Sequence, residues 1–266
     1  MTAPDILVVG SANMDLVAFA DRLPAPGETL LGGAFQSFAG GKGGNQAVAA
    51  ARAGGKVAFL GRIGTDLFGA RLRKGLQDNG VDTRLLGEVE GASGVAIIMS
   101  GGGNNMIVVA PGANDAVTAK VIDSHAFAGI RFVLAQLETP LDGVVEAARL
   151  ARAQGATFIL DPAPARTLPK ELLGMVDWLT PNESEACILL GLKNLGEPGD
   201  MARRLKALGP RGVLLKLGGE GVVLLGDDDK PVAIPAHKVA VADTTAAGDA
   251  FNGAFAAAKK MGSPPS

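Results

Sequence analysis

The heptapeptide Asp243-Thr-Thr-Ala-Ala-Gly-Asp249 places two carboxylates around a run of side chains too small to obstruct a ligand. It opens a strongly helical stretch, Ala250–Lys260. Free N–H groups at a helix N-terminus attract anions, and small residues let those anions approach closely. Such a nest suits the oxyanions that carry charge during phosphoryl transfer, and Asp249 in the same turn could accept a proton from an attacking hydroxyl. Acids are also favoured in any first helical turn, so the segment alone admits a purely structural reading.

Three further segments carry usable polar groups. In Pro181-Asn-Glu-Ser-Glu185, Asn182 and Glu185 have the spacing of a capping box. The same side chains could organise Mg²⁺ through water beside phosphates, because magnesium keeps much of its hydration. Gly40-Gly-Lys-Gly-Gly-Asn-Gln46 precedes a helical pattern. It is not a P-loop, since Gly43 follows Lys42 and Gln36 stands where the first glycine should be. Its glycines still allow close approach to a polar ligand with Lys42 and Asn45 as donors, or they form a plain turn. Asn13 and Asp15 lie two apart and share a face if the chain is extended there, which suits neighbouring hydroxyls; local capping of a turn is the competitor.

The elements that must position these groups alternate. Ile6–Val9, Val57–Gly61, Phe132–Leu137, Thr157–Leu160, Val176–Leu179 and Val213–Leu217 read as buried strands. Gln46–Ala53, Gly69–Asn79, Leu141–Gln154, Glu183–Leu190 and Asp200–Leu208 show helical spacing. That alternation predicts an α/β fold with a mostly parallel central sheet flanked by helices. Asp15–Gln36 and Ser93–Ala110 read as strands without an intervening helix, the second as a hairpin turning at Gly101–Asn105. They predict a small antiparallel sheet standing off the main body as a lid. Polar or glycine-rich residues follow each buried strand, and also Lys238–Ala242, so a cleft is expected beyond the carboxyl ends of the sheet.

Hydrophobic residues at 47% and charged residues at 20% exclude a disordered chain. With 25 basic and 27 acidic residues and no basic block, a nucleic-acid partner is not expected. The N-terminus has no signal-peptide pattern and no apolar run reaches membrane length, which predicts a soluble, cytoplasmic protein. Cys187 is single and reads as a packed residue. His125 and His237 have neither metal-ligand spacing nor a serine triad around them, which argues against hydrolases. No G-x-G-x-x-G follows a strand, which argues against dehydrogenases.

Taken in order, Gly10–Asp15, Pro26–Thr29, Gly40–Ala47, Gln136–Pro140, Asp161–Ala165, Pro181–Glu185 and Asp243–Asn252 resemble the ribokinase (PfkB-type) family of sugar kinases. The resemblance implies a Rossmann-like ribokinase fold over 1–266 as one kinase domain, with the β lid from about 12–37 and 93–110. It implies ATP-dependent phosphorylation of D-ribose at the 5-hydroxyl. Asn13, Asp15, Gly41, Lys42, Asn45, Glu138 and Asp249 would bind the sugar, with Asp249 also the catalytic base. The amides of Ala246, Ala247 and Gly248 would form the anion hole. ATP would meet Asn182, Lys216, Gly218, Gly219, Gly221 and Gly248, with Mg²⁺ held through water at Glu185. An activating K⁺ would use Asp243 and Thr245, and the lid would form a homodimer. Only residues 250 to 266 follow Asp249, whereas family members continue with further helices. From this come the expectations of weaker ATP binding, an incomplete cation site and apolar surface left bare on the sheet. The competing readings are a sibling kinase for another sugar or a nucleoside, and a sugar-binding protein without turnover.

Overall fold

In a computed structural model of the protein, which describes residues 3–241 and 244–260, the apolar run Ile6–Val9 forms β1 with all four side chains at 0% exposure. Next in order come β2 (Asn13–Ala20), β3 (Phe35–Gly40), α1 (Lys42–Arg52), β4 (Val57–Gly64) and α2 (Leu67–Asp78). These are followed by β5 (Leu86–Val89), β6 (Gly94–Gly101), β7 (Asn104–Ala110), β8 (Phe132–Ala135), α3 (Leu141–Ala153) and β9 (Thr157–Leu160). The remaining elements are α4 (Lys170–Leu173), β10 (Trp178–Leu179), α5 (Glu183–Leu190), α6 (Pro198–Lys206), β11 (Gly212–Lys216), β12 (Val222–Leu225), β13 (Val232–Ile234) and α7 (Ala247–Lys260).

The large sheet has the order β13-β12-β11-β10-β9-β8-β1-β4-β5. Every pairing from β11 to β5 is parallel, and β12 and β13 add an antiparallel edge. Parallel strands covered on both faces have no polar side, which is why β1 and β8 are continuous apolar runs. Alternate side chains feed two cores. Leu7 and Val9 join Val133, Phe158 and Leu160 on one face; Ile6 and Val8 join Phe59, Leu134 and Ile159 on the other. At about 25 cal/mol per Å² of apolar area, each such side chain contributes on the order of 1.5–3 kcal/mol.

The second sheet has the order β3-β2-β6-β7. Its outer pairings are antiparallel and its central pair, β2 with β6, is parallel. The parallel pair is possible because the chain passes through β3, α1, β4, α2 and β5 before returning as β6, long enough for a crossover. Lys238 to Val241 is irregular, with Val239 and Val241 exposed, because its alternating pattern finds no partner strand among the described residues. Also among the described residues, no helix is long and apolar enough to cross a membrane.

Strand order reverses beside β1: β4 and β5 extend to one side, whereas β8 to β11 extend to the other. The crevice beyond the carboxyl ends of β1 and β8 is therefore the topological switch point, where open α/β sheets place ligands.

Candidate active site

The loop after β1 and the loop after β8 meet across that crevice. Ser11 Oγ donates to Glu138 Oε2 at 2.5 Å, and the Lys42 amide donates to the same oxygen at 2.9 Å. Lys42 stands where β3 turns into α1, a turn that only glycine permits. Gly41 has φ +82°, and a Cβ there would lie 2.7 Å from the Asn13 amide nitrogen. Asn13 and Asp15 leave β2 on one face, as extended backbone requires. Asn13 is buried, and its side-chain oxygen accepts from Asn114 Nδ2 at 2.7 Å. The Asp15 carboxylate lies against Gly40.

Asp249 enters from above on the first turn of α7 and is buried. Its two oxygens accept amide hydrogens from consecutive residues of α1, Gln46 Nε2 at 3.0 Å and Asn45 Nδ2 at 3.2 Å. Ala246 precedes the helix in the left-handed region at φ +58°. That conformation costs a residue with a Cβ about 1–2 kcal/mol, and strain of this kind collects at functional sites. The Ala246 carbonyl accepts the first intrahelical bond, from Ala250, while the Ala247 amide donates to Thr244. Of the three amides expected to form an anion nest, that of Ala247 is thus engaged in the turn, and Gly248 borders a cavity.

The cavity has a volume of about 250 Å³ and is walled by Lys42, Asp161, Asn182, Glu185, Lys216, Gly218, Thr244 and Ala246 through Asp249. Wider depressions of about 620 and 630 Å³ exist elsewhere, one between α1 and α2 and one at Trp178 and Leu224 beside the end of α7. Convergent charge rather than size selects the smaller cavity. Lys216 Nζ lies 3.0 Å from Asp161 Oδ1, and the two side chains are 13% and 3% exposed. The capping box at the start of α5 is formed in full. Asn182 Oδ1 accepts from the Glu185 amide at 2.9 Å, and Glu185 Oε2 from the Asn182 amide at 2.8 Å. Structural and site roles are compatible here, because both residues also face the cavity.

Gly219 and Gly221, expected beside the nucleotide, do not wall this cavity. Gly221 has a packing reason to be glycine, since a Cβ would lie 2.1 Å from the Ile234 carbonyl oxygen. Thr245 sits in the turn before α7. Asp243, its proposed companion in a cation site, lies outside the described residues.

The electrostatics follow from burying several carboxylates together. Burial, then the charges of Glu138 and Asp249, push the Asp15 carboxyl up to about 6. Burial also raises Asp249, with Asp161 adding to the rise and Lys42, Gln46 and Asn45 opposing it. Glu185 is raised by burial and by Asp161, against its bond from Asn182 and the charges of Lys216 and Lys42. For Lys42, burial favours the neutral amine, but Asp249, Asp161, Glu138 and Glu185 outweigh it and the ammonium is raised. A lysine facing four carboxylates remains charged.

Ser11, Gln46, Asn114 and Asp161 are not among the site residues read from sequence, yet they bond Glu138, Asp249, Asn13 and Lys216, respectively, which are. Asp161 carried a signal, its position directly after a buried strand. The other three are joined to their partners only through the fold.

The profile of the pfkB family carbohydrate kinases matches residues 3–265 of this chain. The chain is 41% identical over 261 residues to a ribokinase of Bacillus subtilis, covering 97% of the chain and 86% of the relative. It is 35% identical over 259 residues to a deoxyribokinase of Salmonella typhi, covering 95% of the chain and 84% of that relative. The ribokinase of Arabidopsis thaliana, solved in complex with ribose and ATP, superposes with a TM-score of 0.91 at 33% identity, covering 99% of this chain and 88% of that one.

Proposed function

Because this chain belongs to the pfkB family of carbohydrate kinases, we propose that it transfers the γ-phosphoryl group of ATP to the 5-hydroxyl of D-ribose. The observation that carries this reading is the buried Asp249 on the first turn of α7, with Lys42 and Lys216 on the walls of the same cavity. Phosphoryl transfer asks a protein mainly for alignment and for stabilisation of charge on the moving group. Asp249 accepts the hydroxyl proton. Burial raises its proton affinity, with Asp161 adding to the rise and Lys42, Gln46 and Asn45 opposing it, which suits a group that must take up a proton.

Asn13, Asp15, Gly41, Lys42, Asn45 and Glu138 surround the place where sugar hydroxyls fit. The Gly248 amide and the Lys42 and Lys216 ammonium groups face the phosphates, with Asn182 and Gly218 beside them. Among the described residues no cluster of three or more acidic, histidine or cysteine side chains is arranged to hold a metal. Glu185 would hold Mg²⁺ through water, with the nucleotide supplying the direct ligands, in keeping with the ion's preference for retained hydration. Potassium at Thr245 and Asp243 is the further expectation. The small sheet closes over the sugar and excludes water, the competing acceptor. Its exposed apolar residues, among them Phe35, Ile97, Ile107 and Val108, pair with a second copy in a homodimer. A cytoplasmic location accompanies the use of ATP.

An ADP-release assay with ribose, 2-deoxyribose, fructose, adenosine and no acceptor, with and without potassium, tests the reading. Ribose-dependent turnover is expected, and Asp249→Asn should lower kcat by about 10²–10⁴. Turnover retained by that variant removes Asp249 as the base. The deoxyribokinase relative favours 2-deoxyribose as the second reading. A higher kcat/KM for 2-deoxyribose than for ribose would decide for it, since a site built to bond the 2-hydroxyl discriminates against its loss.

A further inference from the structure

Gln46 is the fifth residue of α1 and is 1% exposed. Its amide nitrogen donates to Asp249 Oδ1 at 3.0 Å and to Asp161 Oδ2 at 2.9 Å. Its amide oxygen accepts from Gln136 Nε2 at 2.7 Å. A side-chain amide has two N–H donors on one nitrogen and one carbonyl oxygen, and here both ends are committed. Turning the amide over would press its oxygen against two carboxylates and its nitrogen against another amide nitrogen, so the orientation has one solution. Beyond Asp161 the chain of contacts continues to Lys216, whose Nζ is 3.0 Å from Asp161 Oδ1. That Nζ stands 3.4 Å from where a Cβ on Gly248 would be, at the opening of α7.

We propose that Gln46 is a positioning residue, orienting the Asp249 carboxylate and tying it through Asp161 to Lys216 at the phosphate end of the site. The proposal rests on the reading of Asp249 as base. One carboxylate oxygen is pinned by Gln46 and the other by Asn45, so the carboxylate cannot rotate about its Cβ–Cγ bond without losing both bonds. The remaining lone pairs then point in fixed directions for the acceptor hydroxyl.

The proton affinity of Asp249 is set through the same contacts. It is faced by Lys42, Asn45 and Gln46 from α1, by Asp161 after β9, by Asp15 on β2 and, through Asp161, by Lys216 at the end of β11. The Gln46 bond and the Lys42 charge favour the ionised base, and Asp161 opposes it. Lys216 offsets Asp161. Removing Gln46 and removing the Asp161 charge should therefore move the titration of Asp249 in opposite directions. A residue that merely fills space would not do this.

The experiment uses the full chain as Gln46→Ala, Gln46→Glu and Asp161→Asn. The Asp249 carboxyl carbon is followed by NMR against pH in the ligand-free protein, and the pH profile of kcat is taken with ribose and MgATP. Gln46→Ala is expected to move the Asp249 titration and the acidic limb of kcat to higher pH. It should also lower kcat roughly ten- to a hundredfold, the penalty of a misplaced reacting group. Asp161→Asn is expected to move both to lower pH. If Gln46→Ala does not fold, the isosteric Gln46→Glu takes its place, and its added negative charge should also move Asp249 upward. Shifts in the same direction for the two positions, or none at either, overturn the proposal. A parent chain that phosphorylates no acceptor removes the proposed activity but leaves the ligand-free titration to decide the relay.

Discussion

Replacing Asp15 by asparagine should make the protein more stable near neutral pH, and the size of the gain can be worked from its surroundings. Burial, Glu138 and Asp249 together raise its carboxyl from the usual 3.8 to about 6. A folded-state pKa above the unfolded one means that the native protein binds the proton more tightly between those two values. Unfolding free energy from this group therefore falls as pH rises through about 4 to 6, and the loss is complete above that window. A rise of about 2 pH units corresponds to about 3 kcal/mol. Asp15 keeps some contact with solvent, and screening brings the usable figure to roughly 1–2 kcal/mol. Asparagine keeps the shape and drops the charge. The variant should exceed the parent by that amount at pH 7 to 8, with the difference shrinking toward zero below pH 4. Urea melts in half-unit steps across this range, at constant ionic strength, measure it. Subtracting the two curves removes most of what Asp249 and Glu185 contribute, since both are also raised and bend the parent's curve in the same sense. A difference that does not change with pH would refute the reasoning, because an uncharged packing effect has no such window. On the functional reading the stabilised variant also loses sugar binding, the usual opposition of stability and activity.

Two other substitutions bear on the frame and the assembly. Gly41→Ala forces a Cβ into a +82° φ position and against the Asn13 amide. It should cost about 2–4 kcal/mol and raise KM for the sugar, as scanning calorimetry and initial rates would show. Val108→Glu puts a charge on the exposed strand β7. If that sheet is the dimer contact, sedimentation velocity should show the parent as dimer and the variant as monomer.

The parts of the molecule legible in the sequence were those whose cause is local. The α5 capping box needs only Asn182 and Glu185, and it forms as spaced. Long apolar runs such as Ile6–Val9 and Thr157–Leu160 can be nothing but buried strands once helices alternate with them. Val176–Leu179 shortened to Trp178–Leu179, with the Asp177 carboxylate instead accepting from the Phe158 amide. The edge strands β12 and β13, of four and three residues, are too short for periodicity to announce. In the site, Asp15, Glu138 and Asp249 could be found because each lies within a short polar segment that follows a buried strand or opens a helix. Gln46 could not, since its bonds reach residues 90, 115 and 203 positions away, and no local pattern encodes such a meeting.

That long-range meeting also explains why the site is costly in the absence of ligands. Asp15, Glu138, Asp161, Glu185 and Asp249 converge around two lysines, of which Lys216 forms an ion pair with Asp161. The Lys42 ammonium acts on the same carboxylates through its charge, while its backbone amide bonds Glu138. The raised proton affinities of Asp15, Asp249 and Glu185 share one leading cause, burial away from water, and a neighbouring carboxylate adds to each. A chain selected only for stability would replace these carboxylates by amides or apolar residues. The groups that weaken the fold near neutral pH are the same ones that face the sugar hydroxyls, the magnesium water shell and the acceptor proton in the proposed reaction. Each of those ligands supplies the hydrogen or positive charge that a crowded carboxylate lacks. On that reading, sugar hydroxyls would relieve part of a strain that the folded chain has already accepted, since each hydrogen donated to a buried carboxylate replaces hydration lost on burial.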